Sequence, residues 1–443
     1  MHRFWGILVV VFLLAPLSGQ AQTSTPDERD QEMQEMRARI AALEELVEEL
    51  RTGRESKGGP LAAAVPAPAA QTQVANPPSS HTLNSSGPTL AEDHQDHSTS
   101  QAEPTYGTEH TYPALHFSGF GNMNFSATDD PTTKSGFNLG QFILHVASPL
   151  SPKVSAFGEI SFTAAPTSYT LDVERYLIRY DFNDYFKISF GRYHTPINYW
   201  NTTFHHGLWL QTTIDRPEMI RFGGRFQPVH FVGMLAEGNL PSGPLGVGYN
   251  VGLGNGRAGS IARAGDSGDI NNKRAWVVNL FSRPVAWNGL QVGGAVYGDE
   301  VSPLPGLPGN PHFGERITSA HIVWTKEHPE FLAEFAHVRH ENKLTNDVFN
   351  SQAAYVQLAY RLPSMARKWK PYYRFEWSNI SPSDPLFTVS DLTVAVRDLV
   401  GSTVGVRYDI INLAAFKFEY RHTKRTLADP IVNGLFLQTA FTF

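Results

Sequence analysis

The sequence predicts an all-β fold: a transmembrane antiparallel β-barrel of about 16 strands, preceded by a short coiled-coil helix and a disordered linker. Three observations lead to this prediction. Residues 435–443 alternate between two faces and end on Phe443, residues 1–21 have the pattern of a signal peptide, and no later stretch reaches the ~18 apolar residues that a spanning helix needs. An exported chain that enters lipid without such a helix must use strands, because only helices and closed barrels satisfy every backbone polar group there.

Composition and charge narrow the possible functions. The 443 residues contain 36 Lys+Arg, 42 Asp+Glu and no cysteine. Residues 1–112 hold 7 of the basic and 15 of the acidic residues, which leaves 29 and 27 for the remainder. The remainder is therefore nearly neutral and lacks the strong basic patch that nucleic-acid binding needs. The absence of cysteine excludes disulfides, a thiol nucleophile and cysteine-ligated metals.

Residues 22–57 contain a short coiled-coil pattern. Alternating three- and four-residue steps separate Met33, Met36, Ile40, Leu43, Val47 and Leu50. Residues 39–44 (RIAALE) resemble a signature of short trimeric coiled coils, whereas the rule of β-branched a and leucine d positions favours a dimer; an amphipathic helix without a partner is a third interpretation. Fewer than three heptads are too few to hold chains together unaided.

Residues 58–112 indicate a disordered linker. They are rich in Pro, Ala, Ser, Gln and Gly, and such a segment cannot bury enough apolar area to offset its chain entropy. His94, His97 and His110 lie among acidic residues of this segment. Nothing in the sequence fixes their spacing, so a solvated spacer is favoured over a metal site.

Residues 113–443 alternate between an apolar, aromatic face and a polar face. The clearest strand places Tyr373, Phe375 and Trp377 on one face, with charged residues between them. The aromatic face recurs on strand after strand with no covering helix between, which favours an apolar outside and a polar inside over the strands of a soluble β domain. Short and long connections alternate, giving five strands before a long connection at residues 193–229 and eleven after it.

Three motifs flank or lie within this long connection: residues 188–196 (ISFGRYHTP), 213–217 (TIDRP) and 232–238 (VGMLAEG). They resemble the phosphate-selective (O/P-type) porin family of Gram-negative outer membranes. The resemblance implies a passive channel in which residues 193–229 fold inward and narrow the pore. The chain departs from this family at His194, where many members carry Lys. It also departs in the aromatic residues of the loop: Tyr199, Trp200, Phe204 and Trp209.

A passive pore selects solutes by its diameter and by the charges that line it, and Arg and Lys favour anions. Strand parity and the inward loop give these candidate pore-lining residues: Arg175, Arg179, Lys187, Arg192, Arg216, Arg221, Arg225, Arg374 and Arg407, with Lys417 and Arg421 on the same face. Glu159, Glu376 and Glu419 share the lumen, so the expected preference for anions is modest. The alternative is that all these charges are ordinary solvated or paired residues of a polar lumen.

The other residues that could carry chemistry do not indicate a catalytic site. His205 and His206 are adjacent in the loop and define no ligand geometry, so packing is favoured and neither a metal site nor another cofactor is predicted. No Gly-x-Ser-x-Gly elbow of a hydrolase is present.

The sequence therefore predicts a passive outer-membrane porin for small hydrophilic or anionic solutes. The predicted protein is a homotrimer in contact with outer-membrane lipids, with no nucleic-acid partner and with its N-terminal segment in the periplasm. The alternative is a barrel that serves mainly as an outer-membrane anchor, tethered through the periplasmic coiled coil.

Overall fold

The structure, a computed structural model, describes residues 112–221, 225–257, 261, 265–269, 271–301, 309, 311–388, 397–426 and 429–443. The predicted signal peptide, the coiled coil and residues 58–111 of the linker lie outside the described residues.

Sixteen strands form one closed antiparallel sheet. They are β1 (His116–Thr128), β2 (Gly136–Pro149), β3 (Val154–Ala165), β4 (Ser168–Asn183), β5 (Phe186–His194), β6 (His230–Asn239), β7 (Val247–Asn255), β8 (Arg274–Ser282), β9 (Leu290–Val301), β10 (Phe313–Trp324), β11 (Glu330–Asn342), β12 (Val348–Ala359), β13 (Trp369–Asn379), β14 (Leu399–Ile411), β15 (Ala414–Lys424) and β16 (Val432–Thr442). Each strand pairs with its sequence neighbours, and β1 pairs with β16. The predicted closed barrel of sixteen antiparallel strands is confirmed.

The apolar faces of the strands point outward and the polar faces point inward. On β15, the outward Phe416 and Phe418 are 51% and 42% exposed, whereas the inward Lys417 and Glu419 are 2% and 0% exposed. The same alternation places Tyr373 and neighbouring aromatic residues of β13 on the outside. A soluble β domain has the reverse arrangement, because its apolar face covers a core. This barrel has the surface that lipid requires.

Strand β16 closes the barrel against β1 through backbone and aromatic contacts. The N–H of Gly119 donates to the carbonyl oxygen of Phe443 at 3.0 Å, and the N–H of Phe443 donates to that of Gly119 at 3.1 Å. The Phe443 ring stacks on Phe142 of β2 with 5.7 Å between the ring centroids. The predicted alternating final strand thus pairs along its length with β1 and β15.

The connections differ at the two ends of the barrel. The turns after β2, β4, β6, β8, β10, β12 and β14 are short and lie at the end where residues 112 and 443 also lie. The longest connections, after β5, β7, β9 and β13, lie at the other end. Short helices occur in these connections, among them α1 (Tyr199–Thr203) and α2 (Pro385–Thr388). Among the described residues, no helix has the length and apolar character needed to cross a membrane.

Candidate functional site

The connection between β5 and β6, residues 195–229, turns into the barrel, and we call it the inward loop. It contains α1 and a short 3-10 helix at Glu218–Ile220. Trp200 and Ile214 of this loop are 1% and 3% exposed. Trp200 packs edge-on against Tyr355 of β12, with 5.8 Å between the ring centroids. The aromatic residues of the loop therefore pack inside the lumen against a distant part of the wall.

Carboxylates on that wall accept hydrogen bonds from the loop backbone. Glu334 of β11 accepts the N–H groups of Tyr199 and Trp200 through its Oε1, at 2.8 and 2.7 Å. Glu419 of β15 accepts the N–H of Ile214 at 2.6 Å. The loop is thus fixed to the wall at two separated points of its backbone.

Two candidate pore-lining arginines bind the same loop. Arg374 of β13 donates from Nη1 to the carbonyl oxygen of Asp215 at 2.7 Å. Arg407 of β14 donates from Nη1 to the carbonyl oxygens of Trp209 and Gln211, at 2.6 and 3.0 Å. Both arginines face the lumen, as strand parity predicts, but both are almost fully buried. Their guanidinium groups hold the loop instead of facing open water.

Lys417 and Arg421 of β15 extend these contacts. Lys417 donates from Nζ to the carbonyl oxygen of Thr213 at 2.9 Å, and Arg421 donates from Nη1 to Oδ2 of Asp215 at 2.7 Å. We call the lumen face of β11–β15 the anchoring wall, because its charged side chains bind the inward loop.

The three arginines of the inward loop do not converge on one place. Arg216 donates from Nη2 to the carbonyl oxygen of His205 at 2.9 Å, and burial lowers its pKa to about 10. Arg221 is exposed and forms an ion pair with Glu218 at 3.3 Å. Arg225 is buried. The structure therefore places these residues in three separate environments.

The basic residues of β4 and β5 lie on the side of the lumen where the loop begins. Arg175 donates from Nε to Glu159 Oε2 at 2.5 Å and lies over the ring of Phe157. Arg179 pairs with Asp181 at 2.8 Å. Lys187 lies among the same residues and is partly buried.

A cavity of about 490 Å³ lies between the short-turn end of the barrel and the inward loop, and we call it the vestibule. Its charged lining consists of Arg175, Arg179, Lys187 and Arg283, against Asp184 and Glu237. Pro196 and Thr202 of the inward loop bound it on one side. Four basic groups line the vestibule against two acidic ones, and two of the basic groups, Arg175 and Arg179, also pair with Glu159 and Asp181 outside this lining.

A β-bulge in β4 brings an additional carboxylate into the lumen. Glu159 of β3 is opposite Arg175 and the next residue, Ile160, is opposite Val173, so Glu174 is the extra residue in the register. A bulge turns two consecutive side chains towards one face. Glu174 and Arg175 therefore both point inward, and Glu174 is fully buried.

Glu174 contacts a group of four buried or nearly buried histidines, which we call the histidine cluster: His194, His205, His206 and His230. Each offers one ring nitrogen, and these four atoms lie within 4.8 Å of one another. Glu174 Oε2 lies 3.2 Å from His206 Nε2 and 3.0 Å from His230 Nε2. Burial lowers the pKa of His205 well below its ordinary value, and the neighbouring imidazoles add to this effect.

The fold explains how these histidines meet. His194 is the last residue of β5 and His230 is the first residue of β6, and they are cross-strand partners. The inward loop returns His205 and His206 to this point. Arg192 of β5 lies beside them, donating to the Glu174 carbonyl oxygen at 3.2 Å and contacting Asp266.

Sequence reasoning took His205 and His206 alone and missed their two partners. The available signal was that His194 and His230 flank the inward loop on two strands that the topology predicts to be adjacent. Glu174 gave no such signal, because its inward direction depends on the bulge.

No protein-family model matches this chain, and no curated protein matches it. Solved structures do match its fold. The anion-selective porin from Comamonas acidovorans is 9% identical with a TM-score of 0.55, over 75% of this chain and 100% of that one. The outer membrane channel DcaP of Acinetobacter baumannii is 12% identical with a TM-score of 0.50, over 76% and 99%.

The trimer form of OmpT, an outer membrane protein of Vibrio cholerae, is likewise 12% identical with a TM-score of 0.50, over 75% of this chain and 99% of that one. All these matches extend over the barrel and nearly the whole of each solved chain. The chain therefore has the barrel fold of solved outer-membrane porins and channels.

Proposed function

We propose that this protein is a passive porin of a Gram-negative outer membrane, which admits small hydrophilic solutes without a chemical step. The observation that carries the proposal is the closed barrel with an apolar outer surface and a charged lumen. The inward loop fixed across that lumen supports it further, because a constriction gives a wide barrel its size limit.

The proposed location has two supports. Residues 1–21 have the pattern of a signal peptide, as expected for export. Residues 112 and 443 lie at the end of the barrel with short turns, and in transmembrane barrels of the outer membrane the short turns are periplasmic. Both observations support a periplasmic location for the N-terminal segment, which we propose.

We also propose that three copies assemble. The coiled-coil pattern of residues 22–57 supports this assembly, with the RIAALE segment favouring a trimer. One of the solved structures with the same fold is described as a trimer form. The short coiled coil assists the assembly, and the contact between barrels provides most of the buried area.

We propose a modest preference for anions and assign it to the vestibule. Arg175, Arg179, Lys187 and Arg283 outnumber the two carboxylates of its lining. Lys187 is the best probe of this preference, because Arg175 and Arg179 each form an ion pair. A narrow pore screens charge less than bulk water does, so the charge of Lys187 raises the local anion concentration. The finer resemblance to phosphate-selective porins remains a prediction.

Single-channel recording in planar bilayers tests both parts of the proposal. The purified protein is expected to give discrete conductance steps, and the reversal potential in a KCl gradient should have the sign of chloride preference. Lys187→Gln should reduce this preference. Lys134→Gln is the matched control, because Lys134 is exposed in the connection between β1 and β2.

Two outcomes would contradict these proposals separately. Absence of conductance from folded, inserted protein contradicts the porin function and favours the anchor alternative. Conductance with cation preference, or with equal reversal potentials for Lys187→Gln and the unmodified protein, contradicts only the role of the vestibule.

A further inference from the structure

We propose that the histidine cluster is a binding site for a divalent transition-metal ion, with Zn²⁺ as the representative ion. Its four imidazoles come from the two ends of the inward loop and from the loop itself. The proposal concerns binding, and it stands whether or not the barrel conducts.

The donor set selects the class of metal. Four ring nitrogens suit Zn²⁺, Cu²⁺ or Ni²⁺, whereas Ca²⁺ and Mg²⁺ take oxygen ligands. Tetrahedral Zn–N bonds of about 2.0–2.1 Å place ligand atoms about 3.4 Å apart. The cluster holds its four nitrogen atoms within 4.8 Å, so an inward shift of about 1 Å brings them into bonding range. Two of the histidines lie in the loop, between its backbone anchors at Trp200 and Ile214.

Glu174 occupies the position of an orienting carboxylate. Ring nitrogens that do not bind the metal commonly donate to a carboxylate in histidine sites. Glu174 Oε2 lies at hydrogen-bonding distance from the Nε2 atoms of both His206 and His230. A neutral ring whose Nε2–H donates to Glu174 keeps its lone pair on Nδ1 for a metal, and a ring that binds the metal through Nε2 leaves the Glu174 carboxylate as a negative charge beside the ion.

Two arginines contact Nδ1 atoms of the cluster. Arg192 Nη2 lies 3.0 Å from His230 Nδ1, and Arg216 Nη1 lies 3.4 Å from His205 Nδ1. A metal ion displaces these two contacts, and each arginine keeps another acceptor. Arg192 retains Asp266, and Arg216 retains the carbonyl oxygen of His205.

The position of the cluster gives binding a structural consequence. His194 and His230 are paired at the base of the inward loop, and His205 and His206 lie within its first half. A metal held by all four joins the loop to its own base. Binding is therefore expected to stabilise the loop as well as to place a cation inside the barrel at the base of the loop.

The test is a titration of the full-length protein in detergent, after treatment with EDTA, with Zn²⁺ by calorimetry and with Co²⁺ by absorption. We expect one high-affinity Zn²⁺ per chain and Co²⁺ bands of tetrahedral nitrogen coordination. His205→Gln/His206→Gln should weaken Zn²⁺ binding at least 100-fold, and Glu174→Gln should weaken it about 10- to 100-fold. Ca²⁺ should not compete.

Two control variants separate this site from other histidines. His94→Gln/His97→Gln/His110→Gln removes the three histidines that lie among acidic residues of the predicted linker and should keep the high-affinity site. His321→Gln changes a buried lumen histidine of β10 outside the cluster and should also keep it. The β-sheet circular dichroism of each variant checks its fold.

Three results would overturn the proposal: no Zn²⁺ binding by the unmodified protein, unchanged affinity in the double loop variant, or loss of the site in the linker variant. If the double loop variant does not fold, His194→Gln takes its place, with a loss of at least tenfold expected and unchanged affinity overturning the proposal.

Discussion

The two sides of the lumen carry the same kinds of charged residue and use them differently. On the anchoring wall, Arg374 and Arg407 donate to backbone carbonyl oxygens of the inward loop and are almost fully buried. On the side of β4 and β5, Arg175 and Lys187 border the vestibule. The two sides differ in whether the inward loop contacts the basic side chains of the wall. An inward arginine therefore affects solutes directly only where the loop leaves it open.

The acidic residues show the same division. Glu334 and Glu419 of the anchoring wall accept backbone N–H groups of the loop. Glu174, on the other side, faces imidazoles. The anchoring wall thus binds mainly the loop backbone, with Arg421 binding the Asp215 carboxylate in addition, whereas the opposite side contacts particular side chains.

The largest effect is expected when the anchoring wall loses its arginines. Arg374→Met/Arg407→Met removes donors to the carbonyl oxygens of Asp215, Trp209 and Gln211. Because each such charged hydrogen bond contributes about 1.5–3 kcal/mol, the loop should detach from the wall. Single-channel conductance should at least double, and the thermal unfolding temperature should fall.

Arg367→Met is the matched control for that experiment, because Arg367 is exposed in the turn between β12 and β13. It should leave conductance unchanged. If the double variant also kept the conductance of the unmodified channel, the apolar packing and the hydrogen bonds of Glu334, Glu419 and Lys417 would suffice to hold the loop, and the role given to Arg374 and Arg407 would be wrong.

The alternation of the strands could be predicted from sequence because a side-chain period of two is a local property. It assigned Arg374 and Arg407 to the inward face of their strands and correctly gave sixteen strands. It could not show that these guanidinium groups bind the inward loop. Arg407 and its partners Trp209 and Gln211 are about two hundred positions apart in the sequence, and a local pattern does not report such a contact.

The histidine cluster escaped prediction for two physical reasons. The cross-strand pairing of His194 and His230 follows from topology, and could have been inferred once β5 and β6 were taken as neighbours. The direction of Glu174 follows from a β-bulge, which reverses the alternation of β4. A strict period of two assigns Glu174 and Arg175 to opposite faces. Because Arg175 was assigned to the lumen, Glu174 was assigned to the outer face, and the carboxylate beside the histidines was not predicted.

A smaller effect is expected for the basic residues of the loop itself. Arg221 is exposed and paired with Glu218, so Arg221→Ala should change the reversal potential only slightly. Arg216 binds the carbonyl oxygen of His205, so Arg216→Ala should mainly lower thermal stability. Together the two substitutions should reduce anion preference less than Lys187→Gln does. A larger reduction would move the selectivity from the vestibule to the loop.

The smallest expected effect is a pH dependence at the rim of the anchoring wall. The backbone N–H of Glu218 donates to Glu376 Oε1 of β13 at 2.6 Å. The carboxylate of Glu218 forms an ion pair with Arg425 at 3.0 Å. Partial burial raises the pKa of Glu218, but Arg221 and Arg425 outweigh it and hold the pKa below its ordinary value of 4.5. The ionised carboxylate therefore favours the docked loop.

The sign of the pH effect follows from that lowered pKa. A carboxylate with a depressed pKa contributes its stabilisation fully above its ordinary value and loses it as the pH falls through the depressed value. Mean conductance should therefore be constant from about pH 7 to pH 5 and rise below about pH 4, as Glu218 becomes protonated and the loop loosens. Glu218→Gln should show part of this rise already at pH 7 and a weaker dependence below it.

Asp130→Asn is the control, because Asp130 also has a lowered pKa but lies in the exposed connection after β1, where it accepts a hydrogen bond from the N–H of Thr132. The same acid response in Glu218→Gln as in the unmodified channel would assign the rise to other carboxylates of the anchoring wall.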